Sequence, residues 1–143
     1  MFLVDANVLI YAVNTAAHHH QLSLNWLDSA LEQPSGVAFS WLALIAFARI
    51  STHKAVLPNP ITSEEAFNQI NRWLSAPGAV VVNPTHQHAA LLSSLVTTTG
   101  TGSNLINDAH LATLAIEHNA VLVSFDHDFA RFPGLRYQVP QTT

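Results

Sequence analysis

The sequence predicts an α/β protein with a central, mainly parallel sheet, and three observations carry that expectation. Short apolar, β-rich runs recur at residues 2–5, 37–40, 79–82 and 120–124. The stretches between them are longer and space their apolar residues at helical intervals. Parallel strands buried on both faces read as unbroken apolar runs, and each needs a crossover long enough to hold a helix. Finally, 143 residues without a cysteine are about one domain's worth of chain, so residues 1–143 are expected to form one domain held by an apolar core rather than by disulfides.

The elements follow in order. After the first strand, residues 21–32 repeat Leu22, Trp26, Leu27 and Leu31 along one helical face. Pro34-Ser35-Gly36 turns the chain into the second strand. Residues 41–50 are apolar almost all round, ending near Arg49, so this helix must be covered on more than one side. The sheet supplies one cover, and either a neighbouring helix or a second chain supplies the other, which makes a homodimer an expectation. Leu57-Pro58-Asn59-Pro60 is a turn, and residues 63–75 form a helix that Thr62 or Ser63 can cap, with Glu64 and Glu65 at its positive end. Pro77-Gly78 turns into the third strand. The Thr/Gly stretch 97–103 is a loop, either a plain surface one or the rim of a site. Residues 107–118 form the last long helix, with Leu111, Leu114 and Ala115 in phase, before the fourth strand.

Charge is scarce: five basic residues stand against nine acids, for a net charge of -4. This balance does not favour extended electrostatic capture of nucleic acid, and a nucleic-acid enzyme would work through a few arginines placed around a cleft, so bulk charge neither supports nor excludes that chemistry. Asp5 stands where a secretory signal would need a basic segment and then an apolar run, and no apolar stretch reaches membrane-spanning length. The expectation is a cytoplasmic protein with no membrane association.

In an open parallel sheet, ligands bind beyond the carboxyl ends of the strands. Asp5 ends the first strand, Asp126 follows the fourth, and Asp108 opens the last long helix, whose amino end belongs on the same edge. Taken singly, Asp108 has a capping role open to it, and Asp126 and Asp128 suit a turn. Asp5 has little reason to end an apolar strand for stability. Three acids meeting on one edge, with no basic residue expected among them, repel unless a cation joins them, and hard Mg²⁺ or Mn²⁺ suits oxygen donors.

Three stretches carry a family resemblance: Asp5-Ala6-Asn7-Val8-Leu9-Ile10, Asn107-Asp108-Ala109-His110-Leu111-Ala112 and Ser124-Phe125-Asp126-His127-Asp128-Phe129. In this order and spacing the chain resembles the PIN-domain nucleases. More narrowly it resembles the VapC toxins of bacterial toxin–antitoxin pairs, in their mycobacterial-type subgroup. Residues 47–52 and 129–135 support the match. The resemblance implies a three-layer α/β/α sandwich, Mg²⁺- or Mn²⁺-dependent endonuclease action on RNA (tRNA or rRNA), and neutralisation by a VapB-type antitoxin. By motif it places Asp5, Asp108 and Asp126 at the family's acidic positions, as metal ligands and catalytic acids. Asp126 and Asp128 stay open as alternatives for direct ligation, with Asp128 otherwise assisting. Chemically, Asn7 can orient a ligand or a water and Ser124 can support a ligand from behind, or each makes an ordinary turn or strand-end hydrogen bond. One departure stands out. The family usually carries a glutamate about six residues after the second strand's terminal Ser/Thr, and counting from Ser40 reaches Ala46. That favours one tightly held ion over two, and it opens a rival reading as a catalytically weak module that binds RNA or protein.

Other chemistries fail on definite residues. A haloacid-dehalogenase-type phosphatase needs an acid where Asn7 stands, and a receiver domain needs a lysine after its last strand, yet the only lysine is Lys54. No phosphate-binding glycine pattern exists. Nine histidines invite zinc, but His18-His19-His20 are consecutive and no thiol is available, so a specific zinc site is not expected. His110 lies two positions past Asp108 and so faces nearly the opposite way, toward packing contacts. His86, His88 and His118 suggest no partner.

Overall fold

The computed structural model describes residues 1–100 and 105–141. Its elements run β1 (Phe2–Val4), α1 (Ala6–Val13), α2 (His20–Glu32), β2 (Val37–Phe39), α3 (Trp41–Ser51), α4 (Ser63–Leu74), β3 (Ala79–Val81), α5 (His88–Thr99), α6 (Leu105–Glu117), β4 (Val121–Val123), a 3-10 turn (His127–Arg131) and β5 (Tyr137–Gln138). The strands form one sheet in the order β3-β2-β1-β4-β5, with each pairing parallel.

Strand alternation builds the layers. Phe2, Val4, Val37, Phe39 and Val123 point to one face and pack with α1 to α4, while Leu3, Ala38 and Leu122 point to the other and pack with α5, α6 and Phe129 of the 3-10 turn. This is the period-two geometry of strands covered on both faces, and it gives the α/β/α sandwich. Local chemistry agrees with the elements. Thr62, not Ser63, caps α4 in a complete capping box, its Oγ1 accepting from the Glu65 amide at 3.1 Å while Glu65 Oε1 accepts from the Thr62 amide at 3.2 Å. Gly36 sits at φ +64°, and a Cβ there would land on the Gly78 carbonyl, so the entries to β2 and β3 can lie side by side only with glycine at position 36.

Three expectations need correction. Residues 88–99 form α5, which the sequence reading passed over, because a Thr-rich end disguises it; Thr97 to Thr99 are its last turn, and only Gly100 of the expected loop follows within the described residues. Residues 101–103 of that loop lie outside them. The two-residue β5 was also missed, since it offers no run to read and exists through its pairing with β4. Lastly, α6 begins at Leu105, so Asp108 lies in the first turn of the helix and is not its cap.

The consequence for function is topological. The chain leaves β1 toward one layer and reaches β4 from the other, so the neighbouring carboxyl ends of β1 and β4 form the switch point of the sheet. A crevice opens there by construction.

Candidate active site

Asp5 and the segment Ser124-Phe125-Asp126 meet at this switch point. The Asp5 amide donates to the Val123 carbonyl at 3.0 Å, which locks the two strand ends together. Asp5 also caps α1, its Oδ1 accepting from the Ala6 amide at 2.7 Å. Its other oxygen accepts from Ser124 Oγ at 2.8 Å. Ser124 is fully buried, and its hydroxyl oxygen accepts from the Asp126 amide at 3.0 Å and from Asn7 Nδ2 at 3.0 Å. Asn7 closes the ring by accepting from the Phe125 amide at 3.2 Å. Asn7 and Ser124 thus fix one carboxylate rotamer and the loop that carries the next acid, a supporting geometry common behind metal carboxylates.

Asp108 reaches the same place from α6. A cleft of about 370 Å³ runs between α3 and α6, and Asp5, Ala46, Arg49, Asn107 and Asp108 are among the residues lining it. Burial pushes the Asp5 carboxyl up, against the pull of its bonds to Ser124 and Ala6, and the Asp126 charge pushes it further. Burial likewise pushes Asp108 up, to about 6, with the charges of Asp126, Asp5 and Asp128 adding to it and Arg131 opposing. The three acids therefore feel one another. Asp126 is partly exposed and acts on both others, whereas Asp128 is exposed and acts only on Asp108. Asp126 Oδ1 accepts from the Asp128 amide at 2.9 Å, so Asp126 also caps the 3-10 turn.

One expectation fails here. A basic residue does stand among the acids: Arg131 Nη2 donates to Asp108 Oδ2 at 3.1 Å, and its guanidinium lies over the Phe132 ring at 5.0 Å. Arg49 lines the same cleft from α3. Two of the four arginines thus stand at the acids. Ala46, the position where a glutamate was expected by resemblance, lies in the cleft wall facing the same space as Asp5 and Asp108.

A divalent cation suits the donor chemistry, which is oxygen only and carries carboxylate repulsion that Arg131 offsets only in part. The site is open rather than a closed cage. Among the described residues, no three histidine, aspartate or glutamate side chains stand close enough to enclose an ion. Arg131 holds one oxygen of Asp108, and Asp5 is turned toward Ser124 and Ala6.

The histidines have structural partners that the sequence did not reveal. His88 Nδ1 is 3.0 Å from Glu117, and His88 Nε2 is 2.8 Å from His110 Nδ1, so α5 is bolted to α6 away from the acids. Burial pushes Glu117 up, but bonds from His88 and Thr85 outweigh it and hold its carboxyl below the usual range. Burial, then the His88 charge, pushes His110 down. His118 Nε2 lies 2.8 Å from the Asn83 carbonyl, and His20 Nδ1 lies 2.8 Å from the Tyr11 carbonyl. These pairs bridge 9 to 35 residues of chain, and no local spacing announces them.

A parallel sheet with acids gathered at its switch point defines a class, and comparison with known proteins names it. Residues 2–135 match the PIN domain model, and the chain belongs to that family. It is 53% identical to the ribonuclease VapC37 of Mycobacterium tuberculosis over 140 residues, covering 98% of this chain and 97% of that one. Ribonuclease VapC33 of the same species is 32% identical over 140 residues, with 98% of each chain covered. Among solved structures, VapBC2 from Rickettsia felis, bound to a DNA fragment from its promoter, superposes with a TM-score of 0.72 at 22% identity, covering 96% of this chain and 97% of that chain.

Proposed function

We propose that this chain is a divalent-metal-dependent endoribonuclease, the toxin half of a type II toxin–antitoxin pair, acting on structured RNA to block translation. The observation that carries the reading is the gathering of Asp5, Asp108 and Asp126 at the β1–β4 switch point, where burial first, and then the charges of the neighbouring acids, raise the Asp108 carboxyl to about 6. Such repulsion destabilises a folded protein and is retained where a cation uses it. The identity to relatives named as ribonucleases points the same way.

Asp5, Asp108 and Asp126 would hold Mg²⁺ or Mn²⁺, with Asp128 assisting. When bound, the ion supplies Lewis-acid polarisation of a phosphate and a lowered pKa for the attacking water. The chain does the rest. Ser124 and Asn7 keep Asp5 in one rotamer, so the carboxylate is oriented before substrate arrives. Arg49, on the opposite wall, is placed to take a phosphate oxygen and offset charge that grows in the transition state. Arg131 screens Asp108 in the free protein. With so few basic residues, selectivity comes from RNA shape and a short unpaired sequence.

A homodimer belongs to this reading. α3 buries Ala43, Leu44 and Phe47, but leaves Trp41 45%, Leu42 37% and Ile45 58% exposed beside the cleft. A VapB-type antitoxin is the proposed inhibitor, a basic side chain entering the acidic cleft. No helix among the described residues is long and apolar enough to cross a membrane. Incubation with total cellular RNA, followed by mapping of new ends, tests the function. Metal-dependent cuts at a restricted set of positions are expected. Their absence in both the natural sequence and Ala46→Glu would favour the non-cutting module.

A further inference from the structure

We propose that Tyr11, His19 and Phe125 form a stacking platform for one unpaired nucleobase of the RNA, next to the acid cleft. The inference rests on the ribonuclease reading above and names a base-binding subsite for it. The rings form a continuous group. His19 lies flat on Phe125, with centroids 4.4 Å apart and planes 15° from parallel. Tyr11 meets Phe125 edge-on at 5.4 Å, and His18 meets His19 edge-on at 4.9 Å.

Position distinguishes this group from ordinary core. Phe125 sits in the chain between Ser124, which donates to Asp5, and Asp126, and its own amide is held by Asn7. The platform is therefore registered to the acids through one hydrogen-bonded ring. Tyr11 lies six residues along α1 from Asp5, about 9 Å of helix axis, a distance suited to a base flanking the scissile phosphate. Tyr11 and Phe125 pack against the core on one side, yet all three rings are partly exposed and His18 is exposed, so the group reaches solvent. His19, although at the N-cap of α2, caps nothing with its side chain. The turn that carries it is fixed independently, by His20 on the Tyr11 carbonyl and by Asn14 Oδ1 on the Ala16 amide. The ring of His19 is thus free for a role other than holding the turn.

The chemistry fits unpaired RNA. Proteins read single-stranded bases by stacking them on aromatic side chains, and a surface with five basic residues cannot rely on phosphate contacts alone. A stacked base would also set the register of the strand across Asp5 and Asp126.

The test uses the full chain and total cellular RNA containing 4-thiouridine. Ultraviolet crosslinking in EDTA, with peptides mapped by mass spectrometry, is expected to mark residues 11, 19 or 125. In parallel, the strongest cut site is made as a short oligonucleotide and cleaved in Mn²⁺ by wild type, His19→Ala and His19→Phe. His19→Ala should lose roughly five- to fiftyfold in kcat/KM, mainly through KM, with an unchanged melting temperature, and His19→Phe should restore it. Crosslinks confined to other surfaces, or an unchanged kcat/KM in His19→Ala, would overturn the subsite. So would a His19→Ala variant that binds and cuts RNA normally but loses affinity for its antitoxin, which would assign the rings to a protein partner. If wild type cuts nothing, the ribonuclease reading falls and the crosslink map alone decides the platform.

Discussion

Removing one of the clustered acids should make the metal-free protein more stable. Asp108 is the informative choice because burial and three neighbouring carboxylates move its carboxyl from 3.8 to about 6. Each pH unit is about 1.4 kcal/mol, so ionised Asp108 destabilises the folded chain by about 3 kcal/mol relative to the unfolded one. Solvent reaches the site, since the Asp108 side chain is 20% and the Arg131 side chain 30% exposed, and screening reduces the effect to about 1–2 kcal/mol. Asp108→Asn keeps an acceptor for Arg131 and removes the charge. In EDTA at pH 7 it should melt roughly 3–6 °C above wild type. The sign with pH follows from the raised value. Between 3.8 and about 6 the folded state binds the extra proton, so the penalty is full above pH 7, shrinks as pH falls through about 6, and is gone near pH 4. Thermal melts of both proteins from pH 4 to 8 check this. A lower melting temperature for Asp108→Asn at pH 7, or a difference that does not change with pH, would refute the reasoning that burial and the neighbouring carboxylates together penalise ionised Asp108.

Other outcomes follow from single contacts. Ala46→Glu places a carboxylate in the cleft wall shared with Asp5 and Asp108, and should raise Mg²⁺-supported cleavage if a missing ligand limits activity. Glu117→Gln removes the charge from a side chain 2% exposed between His88 and Thr85, and should lower stability by about 1–3 kcal/mol at pH 7 in urea melts. Because the Glu117 carboxyl is held below its usual 4.5, the gap to wild type should be present above that pH and close as pH falls further. Gly36→Ala combines a positive φ with a collision on the Gly78 carbonyl, so a loss above about 2 kcal/mol, or no soluble protein, is expected. Ser23 is fully buried with a hydroxyl that has no partner among the described residues, so Ser23→Ala should be neutral or raise the melting temperature by a few degrees.

Much of this was legible in the sequence where the signal was local. Apolar runs marked four strands within a residue or so, and Thr62 or Ser63 as a cap, with Glu64 and Glu65 at the positive end, announced α4. Asp5 and Asp126 could be placed because a strand-terminal acid in a parallel sheet has one address. What escaped depended on distant partners. Arg131 comes to Asp108 across 23 residues, and His88 to Glu117 across 29, so neither pairing has a spacing to read. The aromatic group joins residues 11 and 19 to 125, and β5 exists only as the neighbour of β4. The all-apolar helix was legible only in half: its inner face is covered by the chain, and Trp41, Leu42 and Ile45 are not.

The central claim is that Asp5, Asp108 and Asp126 act as one cation site. Calorimetric titration of Mn²⁺ into wild type, Asp5→Asn, Asp108→Asn and Asp126→Asn tests it without relying on any RNA. Wild type should bind one tight ion per chain, and each substitution should weaken that binding at least tenfold. Undiminished Mn²⁺ binding in all three variants would contradict the account.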